Sequence, residues 1–350
     1  MATLGLKEQL LDYSNQFDCV ALYDSNSIPS ESSKVDWIFA CGDRYSKSID
    51  SDLTKFQSFL DCHKNEYLFG VLSYDLKEGI EGLSSRNTAF HDLPAWSFFL
   101  PELLVKSVKG KVEWLIGNSD VLSSAVQKED ETEVYSFHPQ ISKSQYLSAI
   151  ASIQENLQRG NVYELNFCRE FHCNSTNSIP IYSLYQKLQS ANPSSFSAFF
   201  RLKETVLISS SPERYIMKKG STLISEPIKG TIERSENKEV DELNAEKLRH
   251  SEKERRENVM IVDLVRNDLS RIALPNSVQV EALYSIRSLP KVHQMVSVIR
   301  AQLKSDVHFT DILRASFPMG SMTGAPKVAA MKLAEELESF KRGWYSGSVG

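Results

Sequence analysis

The chain has 350 residues, of which 41% are apolar and 24% charged, with a formal net charge of −5. These values are those of a globular protein and exclude collagen-like, coiled-coil or largely disordered architectures. The acidic balance argues against a nucleic-acid binder, which needs a basic surface, and no apolar run approaches the ~18 residues of a membrane span.

The N-terminal stretch 1–17 sets Lys7, Glu8 and Asp12 among leucines and reads as an amphipathic helix, not a signal peptide. The first half then reads as strands with short helices, with strands at 35–41, 67–75 and 96–100. The polar stretch 117–133, with its KEDETE run, reads as an exposed connection. Ser142 and Gln145 form a capping-box pattern before an apolar helical stripe of Tyr146, Leu147, Ile150, Ile153 and Leu157, which Gly160 stops. A strand over 162–171 follows, with Tyr163, Leu165, Phe167 and Phe171 on one face and Glu164, Asn166, Cys168 and Glu170 on the other. Hairpins are expected at 196–210 and 214–225, a charged helical region over 240–272, and a last helix over 326–341. Strands and helices without regular βαβ alternation indicate an α+β fold built on antiparallel sheet.

Four segments ask for chemistry. Glu213 sits beside Arg214 at a strand–turn junction after Ser-Pro, where it reads either as half of a surface ion pair or as a positioned general acid. Lys229 lies between Pro227, which stiffens the chain, and Gly230, which allows close approach; an enclosed lysine can lose its proton and become a nucleophile. Glu257 shares a helical face with Met260, Ile261 and Leu264, and a carboxylate on an apolar stripe wants a partner or a metal such as magnesium. The stretch Phe317 to Lys327 is a Gly-rich loop that runs into a helix begun by Pro326, a setting for an anion. It is not a Walker A loop, because Ala-Pro displaces Lys327. The five cysteines and seven histidines are scattered and show neither a disulfide framework nor a zinc spacing, so a reducing, cytoplasmic setting is expected.

In this order GNVYELNF, SSSPERY, PIKGTIER, ENVMIVDLVRNDLSRIA and FPMGSMTGAPK resemble the chorismate-binding family, closely over 142–350 and loosely before it. That family includes the large subunits of anthranilate and aminodeoxychorismate synthases and the isochorismate and salicylate synthases. The resemblance implies an α+β fold of two antiparallel β-sheets packed face to face with helices outside. It implies an N-terminal sheet subdomain over 1–140 and a chorismate-binding catalytic region over 141–350, together one structural unit. Alanine is usual at the Lys229 position in anthranilate-forming members; lysine marks the branch that makes 4-amino-4-deoxychorismate for para-aminobenzoate and folate. In that branch Lys229 attacks C2 of chorismate and expels the C4 hydroxyl, Glu213 protonates the leaving group, and ammonia from a glutamine amidotransferase partner enters at C4. Glu257 would hold Mg2+, and Thr231, Gly320, Ser321, Thr323, Gly324 and Lys327 would line the substrate. The alternatives are an anthranilate-forming enzyme or an inactive chorismate-binding fragment.

Three departures from the family stand out. Glutamine is common where Glu164 stands, and histidine where Gln294 stands; here the histidine is His293. Residues 21–27 lie where the family's N-terminal sheet can hold a tryptophan. The family also runs on beyond residue 350 and there supplies an arginine for the substrate and a second metal glutamate. The resemblance therefore implies a C-terminally shortened chain, incomplete in its active site and with an exposed sheet edge after Trp344.

Overall fold

The computed structural model describes residues 2–28, 34–89, 91–122, 135–175 and 179–350. Most of the expected 117–133 connection lies outside the described residues. The expected α+β class is what forms, and the named strand pairings are all antiparallel. A six-stranded sheet runs in the order Thr205–Ser211, Phe196–Leu202, Cys19–Asp24, Val35–Gly42, Leu103–Val108, Lys111–Ile116. Its strands come from both sides of residue 140. A four-stranded sheet runs Ser348–Val349, Phe69–Leu72, Trp96–Leu100, Arg44–Ser48.

The period-two geometry of a strand explains how these two sheets stack. Along Cys19–Asp24, Cys19 and Ala21 point to the four-stranded sheet and pack with its Phe69, Val71 and Phe99, with Phe200 of the neighbouring strand and with Trp344. Val20 and Leu22 point the other way, onto Leu10 and Leu11 of the helix Ala2–Tyr13 and Tyr185 of the helix Ile181–Ala191. Central strands covered on both faces read as continuous apolar runs, and CVAL is such a run. Asp24 and Asn26, from the 21–27 stretch, line a cavity of about 700 Å³ beside this sheet, where Asp24 takes the Lys7 ammonium at 2.5 Å.

The third sheet carries the site. Its strands are Arg214–Lys219, Thr222–Glu226, Ile228–Glu233, Val292–Gln302 and Gln279–Ser288. The long strand Val292–Gln302 pairs with Gln279–Ser288 along one edge. Along the other it pairs first with Thr222–Glu226 and then, past Pro227, with Ile228–Glu233. Helix Glu252–Ser270 packs Val262 and Leu269 against Leu223, Ile299 and Ala301 of this sheet. The expected helical region 240–272 is thus two helices, Lys238–His250 and Glu252–Ser270; Ser251 interrupts them with an extended backbone and caps the second.

Elsewhere the expectations divide. The Ser142 capping box forms, and Gly160 ends that region with φ of 75°. The expected strand over 162–171 is broken. Only Glu164–Leu165 and Phe171–His172 pair, because the backbone between them bonds to side chains and loops: Asn166 N–H to Thr323 O and Cys168 N–H to Glu338 Oε1. The last helix, Lys327–Leu337, stops before Phe340. Ser348–Val349 pairs with Leu72 and Val71, as a strand after Trp344 requires.

Candidate active site

Glu213 immediately precedes the outer strand of the third sheet, where its carboxylate Oε1 accepts the Ser321 hydroxyl at 2.6 Å. It also receives the backbone N–H of Ile228. Burial outweighs these bonds and the nearby Lys229 charge, and pushes the carboxyl up to about 7. A carboxylic acid that keeps its proton near neutral pH can donate it.

Lys229 comes from the strand after Pro227. Its ammonium Nζ touches Glu164 Oε1 and donates to Ser321 O at 3.3 Å, with side-chain exposures of 14% and 15% for the two charged partners. Gly230 makes this placement possible. Its φ is 94°, and a Cβ there would stand 3.0 Å from Glu254 and 3.2 Å from Leu248. The positive φ favours glycine here, and a side chain would crowd the helices behind the strand. Thr231 is exposed and opposite Gln294, which is buried and whose Oε1 has no hydrogen-bond partner among the described residues.

The Gly-rich segment forms a four-residue helix, Gly320–Thr323, followed by Gly324–Ala325, which pairs with Glu164–Leu165. Gly324 is required there: a Cβ would fall 2.1 Å from Glu164 O. Asn166 pins the loop from the side, with Nδ2 donating to Ser321 O at 2.8 Å. Two amides expected to face a ligand are spent inside the loop, Met322 N–H on Met319 O and Gly324 N–H on Gly320 O. The Thr323 hydroxyl also bonds back to Met319 O. Lys327, expected at the substrate, instead gives its ammonium to Asp268 at 2.5 Å and to Ser316 O at 3.0 Å, so it anchors the loop to the long helix. Burial raises the Asp268 carboxyl to about 6 despite this partner.

Sequence reasoning missed two features. Arg342 and Glu338 form a buried pair, with Nη2 to Oε1 at 2.6 Å and Nε to Oε2 at 2.9 Å. The same guanidinium donates to Met322 O at 2.8 Å and Asn166 O at 2.7 Å, clamping the loop and the Glu164 segment together. Their i, i+4 spacing was the available signal. The second is Glu254. It stands against Gly230 one turn before Glu257, and Lys253 Nζ lies 3.2 Å from Glu254 and 3.4 Å from Glu257. Glu254 and Glu257, three apart, share one side of the helix. His293 turns to Asp241 at 2.9 Å and Ser288 at 2.8 Å, a structural network with Arg234.

The site therefore gathers Lys229, Glu164, Glu213 and Ser321, with Glu254 against Gly230, the residue after Lys229. The sequence profile described as chorismate binding enzyme matches residues 30–350. Aminodeoxychorismate synthase component 1 of Escherichia coli (strain K12) is 42% identical over 223 residues, 64% of this chain and 49% of that protein. Its counterpart from Klebsiella aerogenes is 36% identical over 291 residues, 80% of this chain and 64% of that protein. The chain thus spans about half to just under two thirds of these relatives. The crystal structure of anthranilate synthase component I from Streptococcus pneumoniae TIGR4 superposes with a TM-score of 0.75 at 23% identity, over 95% of this chain and 78% of that one, which establishes the fold. On the profile match across 30–350, the chain belongs to the chorismate binding enzyme family.

Proposed function

We propose that this chain performs the chemistry of aminodeoxychorismate synthase component 1, joining chorismate and ammonia to give 4-amino-4-deoxychorismate and water. One observation carries the reading: the Lys229 amine is enclosed between Glu164 and the Ser321 carbonyl, and Ser321 also holds a second carboxyl, Glu213, that stays protonated near neutral pH. Lys229 attacks C2, the ring double bonds shift, and the C4 hydroxyl leaves as water with the Glu213 proton. Ammonia then attacks C4, the bonds shift back and Lys229 is released. Splitting one substitution into two displacements lowers the barrier to each. Ser321 aims the Glu213 proton, and Arg342 keeps the Ser321 loop in place against the Glu164 segment.

Glu254 and Glu257 suit a magnesium ion. They are hard oxygen donors on one helical side, and a lysine cation already lies between them. Bound there, the ion would neutralise a substrate carboxylate and polarise the ring. The name component 1, carried by the relatives, supports a partner subunit, which we read as a glutamine amidotransferase that delivers ammonia. The cysteines described are free thiols, which supports a reducing, cytoplasmic setting; no helix among the described residues is long and apolar enough to cross a membrane.

The test is product analysis of the protein with chorismate, magnesium and ammonium. A product that keeps the enolpyruvyl group and carries nitrogen at C4 supports the reading. Anthranilate with pyruvate contradicts it and selects the anthranilate-forming alternative. A Glu257→Gln protein should need more magnesium for the same rate; an unchanged magnesium titration would remove Glu257 from the metal site.

A further inference from the structure

We propose that Glu164 is a catalytic residue that takes the ammonium proton of Lys229 before the attack and returns it when Lys229 is released. The inference rests on the reading of Lys229 as nucleophile. Its ground is geometric: Oε1 of Glu164 touches Nζ of Lys229, and Oε2 is buried with no hydrogen-bond partner among the described residues. The carboxylate is also rigidly held. Its backbone pairs with Gly324–Ala325, and Arg342 grips the next-but-one carbonyl, that of Asn166.

An amine in contact with a carboxylate is held as ammonium while water screens the pair, and ammonium cannot attack carbon. A substrate that seals the site removes that screening. Separated charges in a dry site are costly unless fully hydrogen-bonded, and Oε2 has no donor among the described residues. Moving the proton from Nζ to Oε1 converts the ion pair into a neutral amine and a neutral acid. The other groups around the pair are Glu213, which enters the step protonated and uncharged, and Glu254, which lies against Gly230. Chorismate brings two carboxylates, and added negative charge favours the neutral form of a carboxyl group beside it. Arg342 is a nearby positive group, and its guanidinium already donates to both Glu338 oxygens, Met322 O and Asn166 O.

The protons balance over the cycle. Nζ gives one proton to Glu164. The neutral amine bonds C2 while the C4–O bond breaks, and Glu213 gives its proton to the departing hydroxyl, which leaves as water. The adduct nitrogen is a secondary ammonium. Ammonia bonds C4 as the C2–N bond breaks, which frees Lys229 as a neutral amine and leaves an ammonium at C4. Glu164 then returns its proton to Lys229, and the C4 ammonium gives one to Glu213. Two carboxylates thus divide the work, Glu164 on the lysine nitrogen and Glu213 on the C4 substituent. A glutamine at this position could hold the lysine but could not take its proton.

The experiment follows adduct formation on Lys229 by rapid quench and mass spectrometry, with chorismate and magnesium but no ammonium, for the native protein, Glu164→Gln and Glu164→Asp across pH 6 to 10. The native-to-variant rate ratio cancels the ionisation of Glu213. For Glu164→Gln the ratio is expected to be about 10²–10⁴ at pH 7 and to shrink about tenfold per pH unit as solvent takes over deprotonation of the lysine. Glu164→Asp keeps a carboxylate and should show a ratio that does not vary with pH. A Glu164→Gln ratio that is constant across pH, or equal to one throughout, overturns the proposal and leaves Glu164 as a salt-bridge partner. Absence of any native adduct overturns the nucleophile reading, and this proposal with it.

Discussion

The two ends of this molecule bury different things. Between the six- and four-stranded sheets the interior is apolar, with Val71, Phe99, Phe200 and Leu104 all sealed from solvent. Around the third sheet the interior holds charge: Glu226 between Arg214 and Arg287, Asp268 with Lys327, Glu338 with Arg342. Buried charge is poor value for stability alone, since an apolar replacement of the same shape is often as stable. Apolar packing is non-directional, whereas a hydrogen-bonded ion pair fixes atoms at set distances. The first region supplies a stiff platform. The second spends stability on direction, and each of its pairs ends on the loop or strand that positions Lys229 or Glu213.

That contrast is tested first by Lys229→Ala, which removes the group that the charged region exists to aim. Its amination rate should fall by several orders of magnitude while its unfolding transition stays near the native one. A variant that retains native turnover at matched ammonium would remove Lys229 from the chemistry.

Next comes Glu213→Gln, expected to lower turnover by about 10²–10⁴-fold. The acid works protonated, so the native rate should decline as pH rises through about 7, where Glu213 ionises. The same shift has a stability consequence. A carboxyl whose pKa is raised by folding favours the native state fully below its ordinary range, and that contribution is lost as pH rises through about 7. In Glu213→Gln the alkaline decline in rate should vanish and the slope of stability with pH near 7 should flatten, leaving the slope that Asp268, raised to about 6, contributes lower down. A native rate profile or an unchanged slope near 7 would assign the effect to another group.

The sharpest comparison sets Arg342→Met against Phe200→Ala. Each should cost about 3–5 kcal/mol, the first by leaving Glu338 buried and unpaired and the second by opening a cavity. Denaturant unfolding reads both. Measured well below the unfolding midpoint, only Arg342→Met should lower kcat, because it frees Met322 O and Asn166 O. Equal kcat in the two variants would mean that the charged region is merely another core.

How much of this was legible in the chain differs between the same two regions. Strand alternation and turn residues revealed the hairpins at 196–210 and 214–225, and the Ser142 cap and Gly160 stop, because these depend on neighbours in sequence. Glu213, Lys229 and Glu257 were visible as residues out of place among apolar or rigid neighbours. Contacts between distant segments were not legible. Nothing local says that Glu164 meets Lys229 or that Asp268 takes Lys327. The period-two pattern at 162–171 predicted a strand, yet the backbone there bonds to Thr323 O and the Glu338 side chain. Tertiary hydrogen bonds override local pattern where an edge has other partners.

The central claim is that Lys229 bonds to the substrate, and the most direct measurement is peptide mapping of the protein quenched during turnover of chorismate with magnesium. The account predicts a chorismate-derived mass, less one water, on the peptide that contains Lys229, absent from Lys229→Ala and discharged when ammonium is added. Turnover to the amino product with no such adduct under any quench, or an adduct on a different residue, would contradict it.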